Sequence, residues 1–209
     1  YTALFEANKY TVIFDAKPGK IGSESTVSKV LTYSISYACG SLLEELPTLA
    51  GYDFTFFTDK DGNEYKTSDN LTNLTTQNNG TVTLTANYAV HSNYTVKVSA
   101  EHGNAKITQV NGDVLATAVT EKAGVIYDKR VTVEATKVAG YHFDGWFTSG
   151  SKITGATETY SFNMPALGSA SGTYELVAKY VADEYTLALT VVTKSNGTVD
   201  STNVGGTVT

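Results

Sequence analysis

Cysteine is almost missing from this chain. Its 209 residues include one, Cys39, so no internal disulfide and no cysteine-rich zinc site can form. A catalytic thiol would need a histidine beside it, and His91, His102 and His142 make no motif with Cys39. Cys39 is read as a small, half-buried residue at a strand end. Proline is scarce as well, at 3 residues, which speaks against a proline-rich stalk. Charged residues make up only 17%, with a net charge of −6. No Lys/Arg cluster interrupts the chain, so neither a nucleic-acid backbone nor an anionic membrane surface is expected as a partner. No apolar run approaches the roughly 20 residues of a membrane span, so no membrane insertion is expected within this segment. No signal peptide is legible. The chain starts inside one strand pattern and ends inside another, and is expected to be part of a longer polypeptide. Missing targeting signals then say nothing about location.

What is present is strand and turn chemistry. Hydrophobic residues reach 41%, which argues against disorder. Tyr 14, Gly 18 and abundant Thr and Val favour strands over helices. One aromatic stretch occurs twice, as Gly51-Tyr-Asp-Phe-Thr-Phe-Phe-Thr and as Gly140-Tyr-His-Phe-Asp-Gly-Trp-Phe-Thr, with the glycines 89 positions apart. In the first copy Tyr52, Phe54 and Phe56 alternate with polar residues, the period of a half-buried strand. In the second, Gly145 reads as one extra residue. A slip of one residue would turn every later side chain to the other face, and a glycine-centred bulge absorbs it. On this reading Trp146 takes the place of Phe56, and each copy is the core strand of one repeat unit.

A junction repeats too. Ala3, Phe5, Ala7 and Tyr10 match Ala178, Tyr180, Ala182 and Tyr185 without a gap, and the stretch Ala86–Val90 leading to Tyr94 matches with one extra residue. The Tyr-Thr starts at Tyr10, Tyr94 and Tyr185 are 84 and 91 residues apart, the spacing of an array of small domains. The expected organisation is therefore 1–8, the closing strand of a preceding repeat; 9–90, a first β domain; 91–182, a second; and 183–209, the start of an incomplete third that pairs with its neighbour or is the least ordered part.

Within the first unit the expected elements are a strand at Tyr10–Asp15, an alternating strand over 30–38, a short helix over Leu42–Leu46 capped by Ser41, the aromatic strand 51–58, a tight turn at Asp61-Gly62 and a closing strand Thr81–Tyr88. The run Asp59–Asn63 lacks the glycine and terminal glutamate of an EF-hand loop in their places and reads as a plain turn. In the second unit strands are expected at Tyr94–Ala100, Ala105–Val110, Thr117–Glu121, Arg130–Thr136 (Val131, Val133 and Ala135 inward), 141–148, Thr159–Asn163 and Tyr174–Val181.

The first unit resembles the Listeria–Bacteroides repeat, the internalin-type B-repeat, through Tyr10–Phe14, Cys39-Gly40 through Pro47, Gly51–Phe57 and Leu84-Thr-Ala-Asn-Tyr88. The second resembles the divergent form of that repeat through Val131–Ala135, Gly140–Phe147, Phe162-Asn-Met-Pro165 and Leu176-Val-Ala-Lys-Tyr180. The first unit departs from the family pattern in having Phe56 where the family usually has Trp. The resemblance implies mainly β, tandem, small β-grasp-like domains, each a curved sheet over a short helix or ordered loop, in an elongated arrangement. The second unit shows no clear helix and reads equally as a small sandwich-like β domain. The resemblance also implies repeat arrays in exported bacterial proteins, so the expected location is extracellular, attached to the cell wall or cell surface.

Catalytic chemistry finds little support. No Gly-x-Ser-x-Gly elbow, phosphate-binding loop or His-Glu-x-x-His pair occurs. The carboxylates Glu44, Glu45, Asp59 and Asp61 fall in turn or helix-cap contexts, and His142 reads as a solvated strand residue. No catalytic, cofactor or metal residue is assigned. Tyr33, Tyr37, Phe57 and Phe147 are candidate exposed aromatics for a glycan, against the plainer reading that they pack on neighbouring strands. The run 30–38 is a candidate sheet edge for strand addition by a partner. The five Asn-x-Thr sites at Asn70, Asn73, Asn79, Asn93 and Asn196 are read as a by-product of the threonine content. The expected function is a non-enzymatic spacer or stalk supporting adhesion, whose partners are neighbouring repeats. The alternative is a module that binds a host surface protein or glycan.

Overall fold

The computed structural model describes residues 1–187, 190–195 and 198–203. Residues 1–8 pair with no strand, and Tyr1, Leu4 and Phe5 are exposed. A closing strand needs the sheet of the repeat that it closes.

The first unit contains β1 (Lys9–Asp15), β2 (Thr26–Thr32), β3 (Tyr37–Ala38), a 3-10 turn (Cys39–Leu42), β4 (Tyr52–Thr58), β5 (Glu64–Tyr65), β6 (Asn70–Leu71) and β7 (Gly80–Val90). Its mixed sheet has the order β2-β1-β7-β4-β5, with β1 parallel to β7 and antiparallel to β2. Tyr10, Val12 and Phe14 alternate into the core with Leu84, Ala86 and Phe57. The ordered loops cover that face with Ile21, Cys39, Leu43 and Leu71.

The 3-10 turn spans Cys39–Leu42, not the expected Leu42–Leu46, and no side chain caps it. The amides of Cys39 and Gly40 donate to Asp69 O and Thr67 O at 2.8 and 2.9 Å, so this backbone bonds across the unit instead of along a helix. Leu43 is then extended (φ −113, ψ 136) and buried. The run 30–38 is likewise not one strand. β2 ends at Thr32, and Ser34 takes φ 65 and donates its amide to Asn73 Oδ1. The turn breaks the alternation, leaving Leu31 buried but Ile35 exposed. The sheet edge is β2 itself.

The second unit contains β8 (Asn93–Glu101), β9 (Gly103–Val110), β10 (Asp113–Val119), β11 (Glu121–Val125), β12 (Arg130–Lys137), β13 (Tyr141–Thr148), β14 (Ser151–Lys152), β15 (Thr159–Asn163) and β16 (Ser171–Ala182). It has two sheets, β10-β9-β12-β15 and β11-β8-β16-β13-β14. One core lies between them, with Tyr94, Val96 and Leu176 from one sheet and Ile107, Val131 and Val133 from the other. This is the sandwich-like form. The expected strand Thr117–Glu121 is in fact two strands. The chain leaves β10 in one sheet and enters β11 in the other, crossing at Thr120, whose carbonyl accepts the Val98 amide at 2.8 Å.

The two five-stranded sheets share one plan. Tyr10 lies opposite Gly80 as Tyr94 lies opposite Gly172, and Phe54 opposite Tyr88 as Phe143 opposite Tyr180. This register overturns the expected alignment of the aromatic strands. Both copies carry a bulge, between Phe54 and Phe56 and between Phe143 and Gly145. After it, Phe57 faces Ala86 as Trp146 faces Ala178. The extra residues are Thr55 and Asp144, and Gly145 is the counterpart of Phe56. Trp146 therefore corresponds to Phe57, both at 0% exposure, while Phe56 is half-buried on the other face. A bulge turns the pattern by one residue, so Phe54 and Phe57 both point inward, with ring centroids 4.8 Å apart.

β17 (Thr190–Ser195) and β18 (Thr198–Asn203) form an antiparallel pair. Residues 185–187, where a third unit was expected to start, lie in no strand. Expectations for 188–189, 196–197 and 204–209, including the Asn196 site, fall outside the described residues.

Candidate functional site

The first unit ends at Val90 and the second begins at Asn93, so His91 and Ser92 alone join two separate cores. A two-residue linker of ordinary polar residues would bend freely unless something held it. His91 is held on every side. Its amide donates to Gly51 O at 2.9 Å in the first unit, and its carbonyl accepts the Tyr127 amide at 2.9 Å in the second. Its ring does the same: Nε2 lies 3.0 Å from Asp53 Oδ1, and Nδ1 lies 2.8 Å from Tyr94 Oη. His91 is buried, at 8% exposure, so these bonds are shielded from competing water. Tyr94 Oη also accepts the Leu167 amide at 3.3 Å, which ties the linker to the far loop of the second unit.

An aromatic contact closes the joint. Gly51 has φ +78, a conformation that glycine adopts without strain, and the Tyr127 ring rests where a Cβ would stand. Tyr127 also meets Tyr52 edge to face, with centroids 5.6 Å apart and planes at 77°. Clefts of about 340 and 480 Å³ flank Tyr127, both bordered by Tyr52, Tyr88 and Asp128. The Tyr88 hydroxyl is already engaged, donating to Ala16 O at 2.6 Å.

The sequence-derived candidates do not converge on a site. Phe57 has no exposed surface, because the bulge turns it into the first core, so it forms no part of a binding platform. Tyr37 packs on the same core and accepts the Thr32 amide on its hydroxyl at 3.1 Å. Tyr33 is half-buried, and its amide donates to Asn8 O. Phe147 belongs to the second unit, where Lys179 Nζ lies 5.2 Å from its ring centroid.

The run Asp59–Asn63 is a turn locked by its first carboxylate. Asp59 Oδ1 accepts the amides of Asp61 and Asn63, and Oδ2 accepts Asn63 Nδ2 and the Tyr65 hydroxyl. These bonds, led by the Asn63 side chain, draw the Asp59 carboxyl down to about 2. Burial, then the bond to Asp59, pushes the Tyr65 hydroxyl up to about 12. Cys39 is fully buried rather than half-buried; burial, then the charge of Asp69, pushes its thiol up to about 11. Glu44 and Glu45 border an open cleft of about 370 Å³ together with Glu24 and Lys29. Among the described residues no group of three potential metal ligands comes together, and no helix is long and apolar enough to cross a membrane.

Sequence reasoning passed over the joint. His91 reads as a polar linker residue, and nothing local marks Tyr127. The one available signal was a glycine before both aromatic strands, Gly51 and Gly140, each at positive φ.

Residues 94–183 match the family model of the divergent InlB B-repeat domain. Neither the curated proteins nor the solved structures give a match. The matched span covers β8 through β16, the same stretch whose motifs carry the resemblance to the divergent repeat. Over nearly its whole length the second unit is therefore similar to the divergent InlB B-repeat domain.

Proposed function

We propose that these units are a non-catalytic repeat region of a bacterial cell-surface or secreted protein, acting as a spacer that supports adhesion by another part of the polypeptide. The family of the second unit is typical of surface and secreted bacterial proteins, which supports the location. The observation that carries the spacer role is the hold on His91. A spacer must transmit position from one unit to the next, and bending at this joint breaks hydrogen bonds of the linker to both neighbours. Each such bond is worth about 1 kcal/mol, more where the freed group stays buried. The test is a glycan and host-surface protein array probed with the intact chain. The spacer reading expects no saturable binding; a saturable hit counts against it.

A second reading is a binding module in its own right, favoured by the tyrosine-bordered clefts beside Tyr127. It expects a saturable array hit that is lost on Tyr52→Ala or Tyr127→Ala.

A further inference from the structure

The joint has a counterpart at the far end of the second unit, uncovered among the described residues. By the shared register, Gly140 corresponds to Gly51, Tyr141 to Tyr52, and His142 to Asp53, while Ala182 corresponds to Val90 and Asp183 to His91. The bonds correspond as well. Asp183 donates its amide to Gly140 O at 2.8 Å, as His91 does to Gly51 O at 2.9 Å. The side-chain pair is present with its partners exchanged: His142 Nδ1 lies 2.9 Å from Asp183 Oδ1, where the first joint has Asp53 on the strand and His91 on the linker. The next tyrosine follows suit, since the Tyr185 hydroxyl donates to Asp183 Oδ2 at 3.5 Å, as Tyr94 meets His91. One part differs. Gly51 lies under the Tyr127 ring, but Gly140, at φ +83, has among the described residues no atom within 4 Å of a would-be Cβ. His142 and Tyr185 are correspondingly exposed where His91 and Tyr94 are buried.

We propose that this end of the second unit, formed by Gly140, Tyr141, His142 and Asp183, is a docking surface for a β unit of the same kind, which seats an aromatic side chain over Gly140 as Tyr127 sits over Gly51. The inference rests on the spacer reading and adds to it a defined joint that propagates along the chain. The occupant is fixed by the first joint: the same backbone hydrogen bond and a His–Asp pairing are already formed at the second, and the piece that the second lacks is supplied in the first by the following unit. The exchanged pair keeps one acidic and one imidazole group at each joint, so the geometry survives with the roles reversed.

Two experiments test it by NMR. In the first, residues 95–183 are repeated directly after Tyr185, so that a second copy of the divergent unit follows the first. The amides of Gly140, Tyr141 and Asp183 shift relative to the 209-residue chain, and Tyr127→Ala within the appended copy reverses the shift. Unchanged Gly140 and Tyr141 signals overturn the proposal, as does a shift that survives the Tyr127→Ala change. The second experiment needs no appended unit. The exchange Asp53→His with His91→Asp gives the first joint the residues of the second. The nuclear Overhauser contact between the Tyr127 ring and Gly51 persists in this double variant, and its loss contradicts the proposal. The spacer reading fails separately, if the two native units of the unaltered chain tumble independently.

Discussion

The Tyr127 ring lies where a Cβ of Gly51 would be. Gly140 has nearly the same backbone, φ +83 against +78, and among the described residues nothing near it. The two positions form a matched pair. Gly51→Ala and Gly140→Ala each incur the left-handed backbone strain of about 1–2 kcal/mol. Gly51→Ala additionally expels Tyr127 and loosens the joint, whereas Gly140→Ala leaves the Tyr127 signals in place. Comparing Tyr127 ring chemical shifts in the two variants checks this.

The shared register makes Phe57, not Phe56, the counterpart of Trp146. Truncating Phe57 or Trp146 to Ala destabilises its own unit by about 3–5 kcal/mol, as for large aromatic core residues. Phe56→Ala costs about 1 kcal/mol or less, since it leaves the core intact. Urea unfolding followed by unit-specific amide signals measures each. A larger loss from Phe56→Ala than from Phe57→Ala would reverse the assignment.

Asp59 holds its turn through bonds to the carboxylate, so its pKa in the folded chain falls from 3.8 to about 2. A depressed folded pKa means that the contribution is present above the ordinary value and is lost as pH falls through about 2. Carboxyl-carbon NMR titration should give a midpoint near 2, and Asn63→Ala should move it upward. A midpoint at 3.8 in the native chain would show that the bonds to Asp59 do not persist in solution.

Cys39 has no exposed surface, and its thiol is pushed up to about 11. Only thiolate reacts with disulfide reagents, so native protein at pH 8 stays unmodified, and reaction follows unfolding of the first unit. Rapid modification of native protein would contradict the burial of Cys39 in the first core.

Much of the strand layout was legible in the sequence. The alternation of Tyr10, Val12 and Phe14 and of Val131, Val133 and Ala135 marks inward faces that the structure shows buried. The 141–148 and 159–163 strands coincide with β13 and β15. Bulge position was not legible, because it is set by the pairing of β4 with β7 and of β13 with β16, and Gly145 read as an extra residue where none exists. The 3-10 turn was misplaced because Cys39 and Gly40 bond to Asp69 and Thr67, some thirty residues on. The joint was invisible for the same reason at longer range. Asp53 lies 38 residues from His91 in sequence, and Tyr127 belongs to the next unit. No local pattern encodes a contact made only when two folded units meet.

His91 fixes the first unit to the second. Backbone ¹⁵N relaxation on the intact chain tests it most directly, by comparing rotational correlation times for amides of β1–β7 and β8–β16. The two sets should agree in the native chain and diverge in His91→Ala, with both units still folded. Independent tumbling of the two units in the native chain, or a His91→Ala variant that tumbles as one body, would contradict it.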